Sequence, residues 1–455
     1  MTLRSINPAT GEPIRDFAEA SPGEAAAAVA SAEAAFALWK ETAFEERAAP
    51  MKRAGALLRE RAAEYARLMA LEMGKPVRQG RAEIEKCALV CEYYAERAAS
   101  FLAPELVATD ARKSYVAFRP LGVILAVMPW NFPFWQVFRF AAPALMAGNT
   151  CVLKHASNVC GSALAIEDVF MSSGIPAGAF RTVLVGSAGV DALVAHPAVR
   201  AVTLTGSAPA GSAVAARAGS LLKKTVLELG GSDPYVVLED ADLAAAAEIC
   251  AASRLTNSGQ SCIAAKRFIV PRRVAEPFAA LLVERMLARR TGDPLDESTD
   301  VGPLARADLR EELHRQVAAS VAAGATLLAG GAIPPGPGAF YPVTVLSGVK
   351  RGMPACDEEL FGPVAAIVAV RDEEEAIAVA NDTIFGLGAA IFSRDAARAE
   401  RLAAERLEAG SCFVNAFVKS DPRLPFGGIK ESGYGRELSA FGIREFVNVK
   451  TVYVA

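Results

Sequence analysis

Parallel α/β layering is the fold class this sequence predicts, and three observations predict it. Helical and strand patterns alternate along most of the chain, the arrangement that stacks helices on parallel sheets. Between Thr150 and Gly211 one design recurs three times, an apolar strand closing on a polar or glycine turn ahead of a helix. The three units are Cys151-Val152-Leu153-Lys154, Arg181-Thr182-Val183-Leu184-Val185-Gly186 and Ala201-Val202-Thr203-Leu204-Thr205-Gly206-Ser207. The third observation is size. A chain of 455 residues that is 52% hydrophobic can fill a large core, and at roughly 150 residues per unit it divides into about three.

In chain order, Ser21-Pro22-Gly23-Glu24 is a capping box with proline at the first helical position, and Val29, Ala32, Phe36 and Trp39 then recur at helical spacing. This opens an Ala-rich helical region reaching to about residue 100. Tyr115-Val116-Ala117-Phe118 is β-prone. The longest apolar run, Leu121 to Trp130, falls short of the ~20 residues that span a bilayer and reads as a buried strand. The repeated units that follow make a nucleotide-binding architecture, because ligands gather at the carboxyl ends of parallel strands. No full G-x-G-x-x-G accompanies them. Ser207 opens a helix after a strand, so its backbone N–H can meet phosphate at the positive end of the helix dipole. Gly330 to Pro342, rich in Gly and Pro, reads as a surface hairpin or loop. Thr451-Val452-Tyr453-Val454 is again β-prone, and a strand exposed in this way needs a partner.

Charge excludes some partners. The formal net charge is −3, with 48 Lys+Arg and 51 Asp+Glu spread along the chain, which leaves no electrostatic footprint for nucleic acid. The opening residues Met1 to Pro8 carry no apolar core of an export signal, so a cytoplasmic protein with no membrane contact is expected.

Chemistry concentrates at Cys262, in the run Asn257-Ser258-Gly259-Gln260-Ser261-Cys262. It lies 262 − 228 = 34 residues after Glu228-Leu229-Gly230-Gly231. Small neighbours let a substrate carbon approach the thiol, and a glutamate on a glycine turn can serve it as base. A free thiol titrates near ~8.5, so activation needs a base or a positive local field. The other seven cysteines, Cys87, Cys91, Cys151, Cys160, Cys250, Cys356 and Cys412, read as small buried hydrophobes. No C-x-x-C pair occurs, and no metal is expected. None of the three histidines, His155, His196 and His314, lies near Cys262 in sequence.

Four further stretches stand in fixed order around Cys262. They are Met128-Pro129-Trp130-Asn131-Phe132-Pro133, Leu227-Glu228-Leu229-Gly230-Gly231, Glu358-Glu359-Leu360-Phe361-Gly362-Pro363 and Pro425-Phe426-Gly427-Gly428-Ile429-Lys430. Together they resemble the signature set of the NAD(P)-dependent aldehyde dehydrogenase superfamily, over a span that starts at Asn7-Pro8-Ala9-Thr10-Gly11. Within it the chain is similar to bacterial succinate semialdehyde dehydrogenases of the short branch with Lys154-His155-Ala156 in place of the commoner Lys-Pro-Ser. The resemblance implies a Rossmann-like cofactor domain from residues 1–101 and 121–230, an α/β catalytic domain from 231–430, and a β oligomerisation arm from 102–120 with 431–455. It implies Cys262 as nucleophile, Glu228 as base for deacylation and the Asn131 amide as oxyanion donor. Trp130, Lys154, Ser157, Gly186, Gly206, Ser207, Glu359 and Phe361 fall at cofactor positions. NADP is expected to be accepted, since Ser157 stands where NAD-specific relatives carry a glutamate that would repel a 2′-phosphate, and NAD stays open. Arg139 and Ser420 match substrate-carboxylate positions, whereas the family's second arginine is Thr256 here, with Arg254 nearby. A small aldehyde as substrate and self-association as dimer or tetramer follow from the same likeness. Three other readings remain open: an aldehyde dehydrogenase of another or broader substrate range, a CoA-acylating relative, and a silent binding protein on this fold. Intact Cys262, Glu228 and Asn131 speak against the last.

Overall fold

A computed structural model describes residues 2–455. Four helices, Pro22–Trp39, Phe44–Glu60, Ala62–Met73 and Val77–Phe101, fill the Ala-rich region. The first begins as its sequence predicts. The Glu24 N–H donates to the Ser21 hydroxyl, the Ser21 N–H donates back to the Glu24 carboxylate, and Pro22 takes the first turn. Val29, Ala32 and Trp39 are buried along this helix, with Phe36 partly so.

One sheet carries the repeated units. Strands Gly433–Tyr434, Lys224–Glu228, Val199–Thr205, Val123–Met128, Thr150–His155 and Phe180–Thr182 lie side by side in that order. All neighbours are parallel except Gly433–Tyr434, which runs antiparallel to Lys224–Glu228. From Val123–Met128 the next two strands in sequence build outward on one side and the following two on the other. The order therefore reverses between Val123–Met128 and Val199–Thr205, and a crevice opens past the carboxyl ends of those two strands. Along Val123–Met128, Ile124, Ala126 and Met128 enter one core while Val123 and Leu125 enter another. The continuous apolar run arises because successive side chains leave a strand on opposite faces and both faces are covered. The strand expected over Arg181–Gly186 is shorter than its pattern. After the Val183 N–H donates to the Leu153 carbonyl, the chain peels away and the Leu184 carbonyl accepts from Ala20 instead.

A second sheet takes Thr326–Ala329, Thr344–Ser347, Val364–Val370, Arg267–Pro271, Pro234–Val237, Gly388–Phe392 and Ser411–Val414, parallel throughout except at the first strand. Val236 and Ile269 face one core, and Tyr235, Val237, Phe268 and Val270 the other. Gly330 to Pro342 does link an antiparallel strand pair, but Ala339 and Tyr341 within it are buried, and the Ala339 N–H donates to the Pro8 carbonyl. In a third, antiparallel sheet Lys113–Pro120 lies between Glu105–Leu106 and Val447–Val454. The two β-prone segments thus pair with each other, Thr451 opposite Val116. Among the described residues no helix is long and apolar enough to cross a membrane.

Candidate active site

Strand Lys224–Glu228 runs through Leu229-Gly230-Gly231 into strand Pro234–Val237, joining the two large sheets, and the Cys262 turn packs against that joint. A Cβ on Gly231 would stand 2.8 Å from the Cys262 carbonyl oxygen, so a side chain there would push the segments apart. Beyond helix Leu243–Leu255, Asn257 and Ser258 both take left-handed backbone, at φ 54° and 57°. Such conformations in non-glycine residues persist only where neighbours impose them. Here the Asn257 Nδ2 donates to the carbonyls of Asn131 (2.7 Å) and Gln260 (3.0 Å), and the Asn257 N–H donates to Gln79 Oε1 at 2.7 Å. Beneath the turn the buried Lys266 Nζ donates to the Ser261 and Cys262 carbonyls at 2.8 and 2.7 Å and pairs with Glu359 at 3.2 Å. The thiol is thereby held in the wall of a cavity of about 150 Å³, with Phe132, Trp135, Arg139, Phe417 and Ser420 among its other lining residues.

The predicted residues distribute unequally around it. Cys262, Arg139 and Ser420 share this cavity, whereas Asn131 and Glu228 are not in its wall. Asn131 is buried and its Nδ2 donates to the Gln260 carbonyl at 3.2 Å, which ties it to the Cys262 turn. An amide has two N–H donors, so one remains beyond that bond. Burial pushes the Cys262 thiol up to about 12, against the opposing charge of Lys266, so at rest it is a neutral thiol. Glu228 is buried with no hydrogen-bond partner on either carboxylate oxygen among the described residues. Burial first, and then the neighbouring Glu437 carboxylate, hold it well above the usual carboxylate range, with Arg139 pulling the other way. Arg139 is itself ion-paired with Glu437 in full burial, its Nη2 donates to Thr205 Oγ1 at 3.3 Å, and its guanidinium lies 4.8 Å from the centre of the Phe426 ring. Arg254 is also buried and donates to the Gly259 carbonyl, away from the cavity wall that Thr256 helps to line.

The remaining predicted residues follow the carboxyl ends of the first sheet. Trp130 and Asn131 come just after Val123–Met128, Ser157 after Thr150–His155, and Gly206 and Ser207 after Val199–Thr205. Ser207 precedes the helix Ala208–Ser220, whose first turn has no acidic residue and no side-chain cap, so its N–H groups are left for an anion. Lys154 is buried with no carboxylate in ion-pair range among the described residues, and burial lowers its pKa. An unmatched ammonium, an open helix start and a serine at 157 fit a phosphate-bearing dinucleotide at this edge. The Gly186 N–H donates to Glu19 Oε1 at 2.7 Å. Trp130 and Phe361 meet edge to face at 5.7 Å, and Glu359 accepts from the Gly231 N–H at 3.1 Å besides pairing with Lys266.

Residues 1–452 match the sequence profile of the Aldehyde dehydrogenase family. The chain belongs to this family. Over its full length this aldehyde dehydrogenase is 50% identical to a probable succinate-semialdehyde dehydrogenase [NADP(+)] of Synechocystis, with all of both chains covered. It is 49% identical to succinate-semialdehyde dehydrogenase [NADP(+)] 1 of Mycobacterium tuberculosis, again with both chains fully covered. Among solved structures, the succinic semialdehyde dehydrogenase of Streptococcus pyogenes in complex with NADP+ superposes with a TM-score of 0.97 at 38% identity, covering 99% of each chain. Three residues of this aldehyde dehydrogenase site escaped sequence reasoning: Lys266, Glu437 and Lys86. Lys266 left a readable signal, a Lys-Arg pair heading the buried strand Arg267–Pro271. Glu437 and Lys86 left none, because each meets its partners only across long sequence separations.

Proposed function

We propose that this aldehyde dehydrogenase oxidises succinate semialdehyde to succinate with NADP as the preferred oxidant. The observation that carries the reading is the small cavity that joins the Cys262 thiol to a polar wall of Arg139 and Ser420. At about 150 Å³ it is much smaller than the adjoining cavity of about 530 Å³, with which it shares Lys86, Phe132, Trp135 and Phe417, and this favours a short substrate. The names of the full-length relatives support the same substrate and cofactor.

In this reading the Cys262 Sγ gives its proton to solvent water and bonds the aldehyde carbon, while the carbonyl oxygen becomes an oxyanion met by the Asn131 Nδ2 and the Cys262 backbone N–H. A dinucleotide, when bound, would supply the nicotinamide as hydride acceptor. Loss of that hydride leaves the carbon as a thioester on Cys262. Glu228, freed to swing by Gly230 and Gly231, takes a proton from water; the hydroxyl attacks the thioester carbon, the C–S bond breaks, and succinate departs. Trp130, Lys154, Ser157, Gly186, Gly206, Ser207, Glu359 and Phe361 hold the dinucleotide, with Lys154 and Ser157 admitting the 2′-phosphate. Arg139 and Ser420 face the substrate carboxylate.

The cofactor unit comprises residues 1–101 and 121–230, the catalytic unit 231–430, and the arm 102–120 with 431–455. The arm joins copies of the chain as a dimer or tetramer, because the outer edge of Val447–Val454 has no strand beside it among the described residues. Eight free thiols suit the reducing cytoplasm. An aldehyde panel with NADP and NAD, followed by absorbance of the reduced cofactor, tests the proposal. Succinate semialdehyde with NADP gives the highest kcat/KM; equal or better turnover of neutral butanal would overturn the substrate assignment.

A further inference from the structure

A carboxylate entering the cavity meets three cations of different standing, Arg139, Lys86 and Lys419. Arg139 is already matched, since Glu437 pairs with it in full burial and Thr205 takes a further N–H. Lys86 is not matched. It projects from helix Val77–Phe101 into the same cavity wall as Cys262, and also lines the wider vestibule of about 530 Å³ that carries Arg78, Phe132 and Asp300. Among the described residues no carboxylate lies within ion-pair distance of its ammonium. The Nζ donates to Ser420 Oγ at 2.6 Å and sits 4.0 Å from the centre of the Trp135 ring. An aromatic face and one hydroxyl are weak compensation for a charge partly removed from water. An ammonium has three N–H donors, and Ser420 uses one.

The neighbouring carboxylates are committed elsewhere. Glu83, three residues back on the same helix, pairs with buried Lys75 and accepts the N–H groups of Phe134 and Trp135. Asp421, next to Ser420, is held by Arg423, and Asp300 at the vestibule by Arg78. Arg289 in the vestibule wall is paired with Glu248. Lys419 also lines the cavity with no ion pair among the described residues, but it is exposed to solvent, so Lys86 is the half-buried unmatched charge between vestibule and thiol.

We propose that Lys86, braced by Trp135 and sharing Ser420 with the ligand, is a further cation that selects the substrate carboxylate beside Arg139, which Glu437 holds in place. The assignment rests on the carboxylate-bearing substrate proposed above. Burial, with the repulsion of Arg139, lowers the Lys86 ammonium to about 8, against the weaker opposing pull of Cys87, Glu83 and Asp421. Its charge is thus present below that pH and lost above it.

The readout is the ratio of kcat/KM for succinate semialdehyde to that for butanal, which cancels the chemistry the two aldehydes share at Cys262. Lys86→Met keeps an apolar stem on Trp135 and removes the charge. The ratio falls roughly 10- to 100-fold, as for loss of a hydrogen bond to a charged group, with the change mainly in KM for the charged aldehyde. In the wild type the ratio declines as pH rises through about 8, and in Lys86→Met it is flat. A wild-type preference that survives Lys86→Met, or equal falls for both aldehydes, would overturn the role of Lys86 alone. A wild type with no preference for the charged aldehyde would overturn the substrate reading and this assignment together.

Discussion

At the scale of single residues, burial shifts the site's reactive groups towards their neutral forms. Burial and the Glu437 carboxylate hold Glu228 well above the usual carboxylate range. Deacylation needs the carboxylate, so its rate climbs with pH on a limb displaced above the ordinary carboxylate range. Glu228→Gln removes that limb and slows turnover by roughly 10²- to 10⁴-fold, and intact-mass analysis then finds acyl-enzyme. Turnover that keeps its wild-type rate and pH dependence would rule out Glu228 as base. Arg139→Ala strands Glu437 as an uncompensated buried carboxylate and costs about 3 to 5 kcal/mol, read as a shift in the denaturant midpoint. An unshifted midpoint would mean that Glu437 takes a proton without penalty. The family resemblance made Arg139 visible, but not its partner Glu437, 298 residues away (437 − 139). In the same way Lys86 beside Glu85 reads as one more solvated charge pair, and only the packing of its helix on Trp135 turns it inward.

At the scale of elements, legibility followed how local the cause was. The capping box, the buried strand Val123–Met128 and the strand pair of the arm were readable because propensity and period decide them within a few residues. The short strand Phe180–Thr182 was not, since its end is set by a backbone bond to Ala20 in a distant segment. The Cys262 turn lies between these cases. Its small residues announced a turn, while its left-handed Asn257 and Ser258 depend on Asn131, Gln79 and Lys266. Gly259 closes that turn at φ 78°, and a Cβ there would come within 2.2 Å of the Gly362 carbonyl oxygen. Gly259→Ala therefore displaces both the Cys262 turn and the Glu359–Pro363 segment. A loss of about 2 kcal/mol or more in stability, with a fall in kcat, is the expected result, and a variant as stable and active as wild type would show the turn to be less constrained. On the cofactor side, Ser157→Glu sets a carboxylate against the 2′-phosphate and shifts the kcat/KM ratio from NADP towards NAD, roughly tenfold or more. An unchanged ratio would place the 2′-phosphate elsewhere.

At the scale of the whole molecule, the two large sheets are covered on both faces, but the three-stranded one is not. Among the described residues strand Val447–Val454 leaves one edge open, and its Val449 and Tyr453 are exposed. An unpaired edge bordered by apolar side chains invites a neighbouring chain, and a two-fold contact would repeat each of these residues across the interface. Val449→Lys with Tyr453→Lys places like charges along that edge in both copies, at a cost of several kcal/mol and at least roughly tenfold in Kd. Neither residue lies in the wall of the Cys262 cavity, so the substitution acts on assembly rather than on the chemistry. Sedimentation velocity then shows the wild type as a multiple of the chain mass and the double variant shifted towards the single chain on dilution. A wild type that sediments as one chain, or a variant whose assembly is undisturbed, would mean that the strand edge is capped by something other than a second copy.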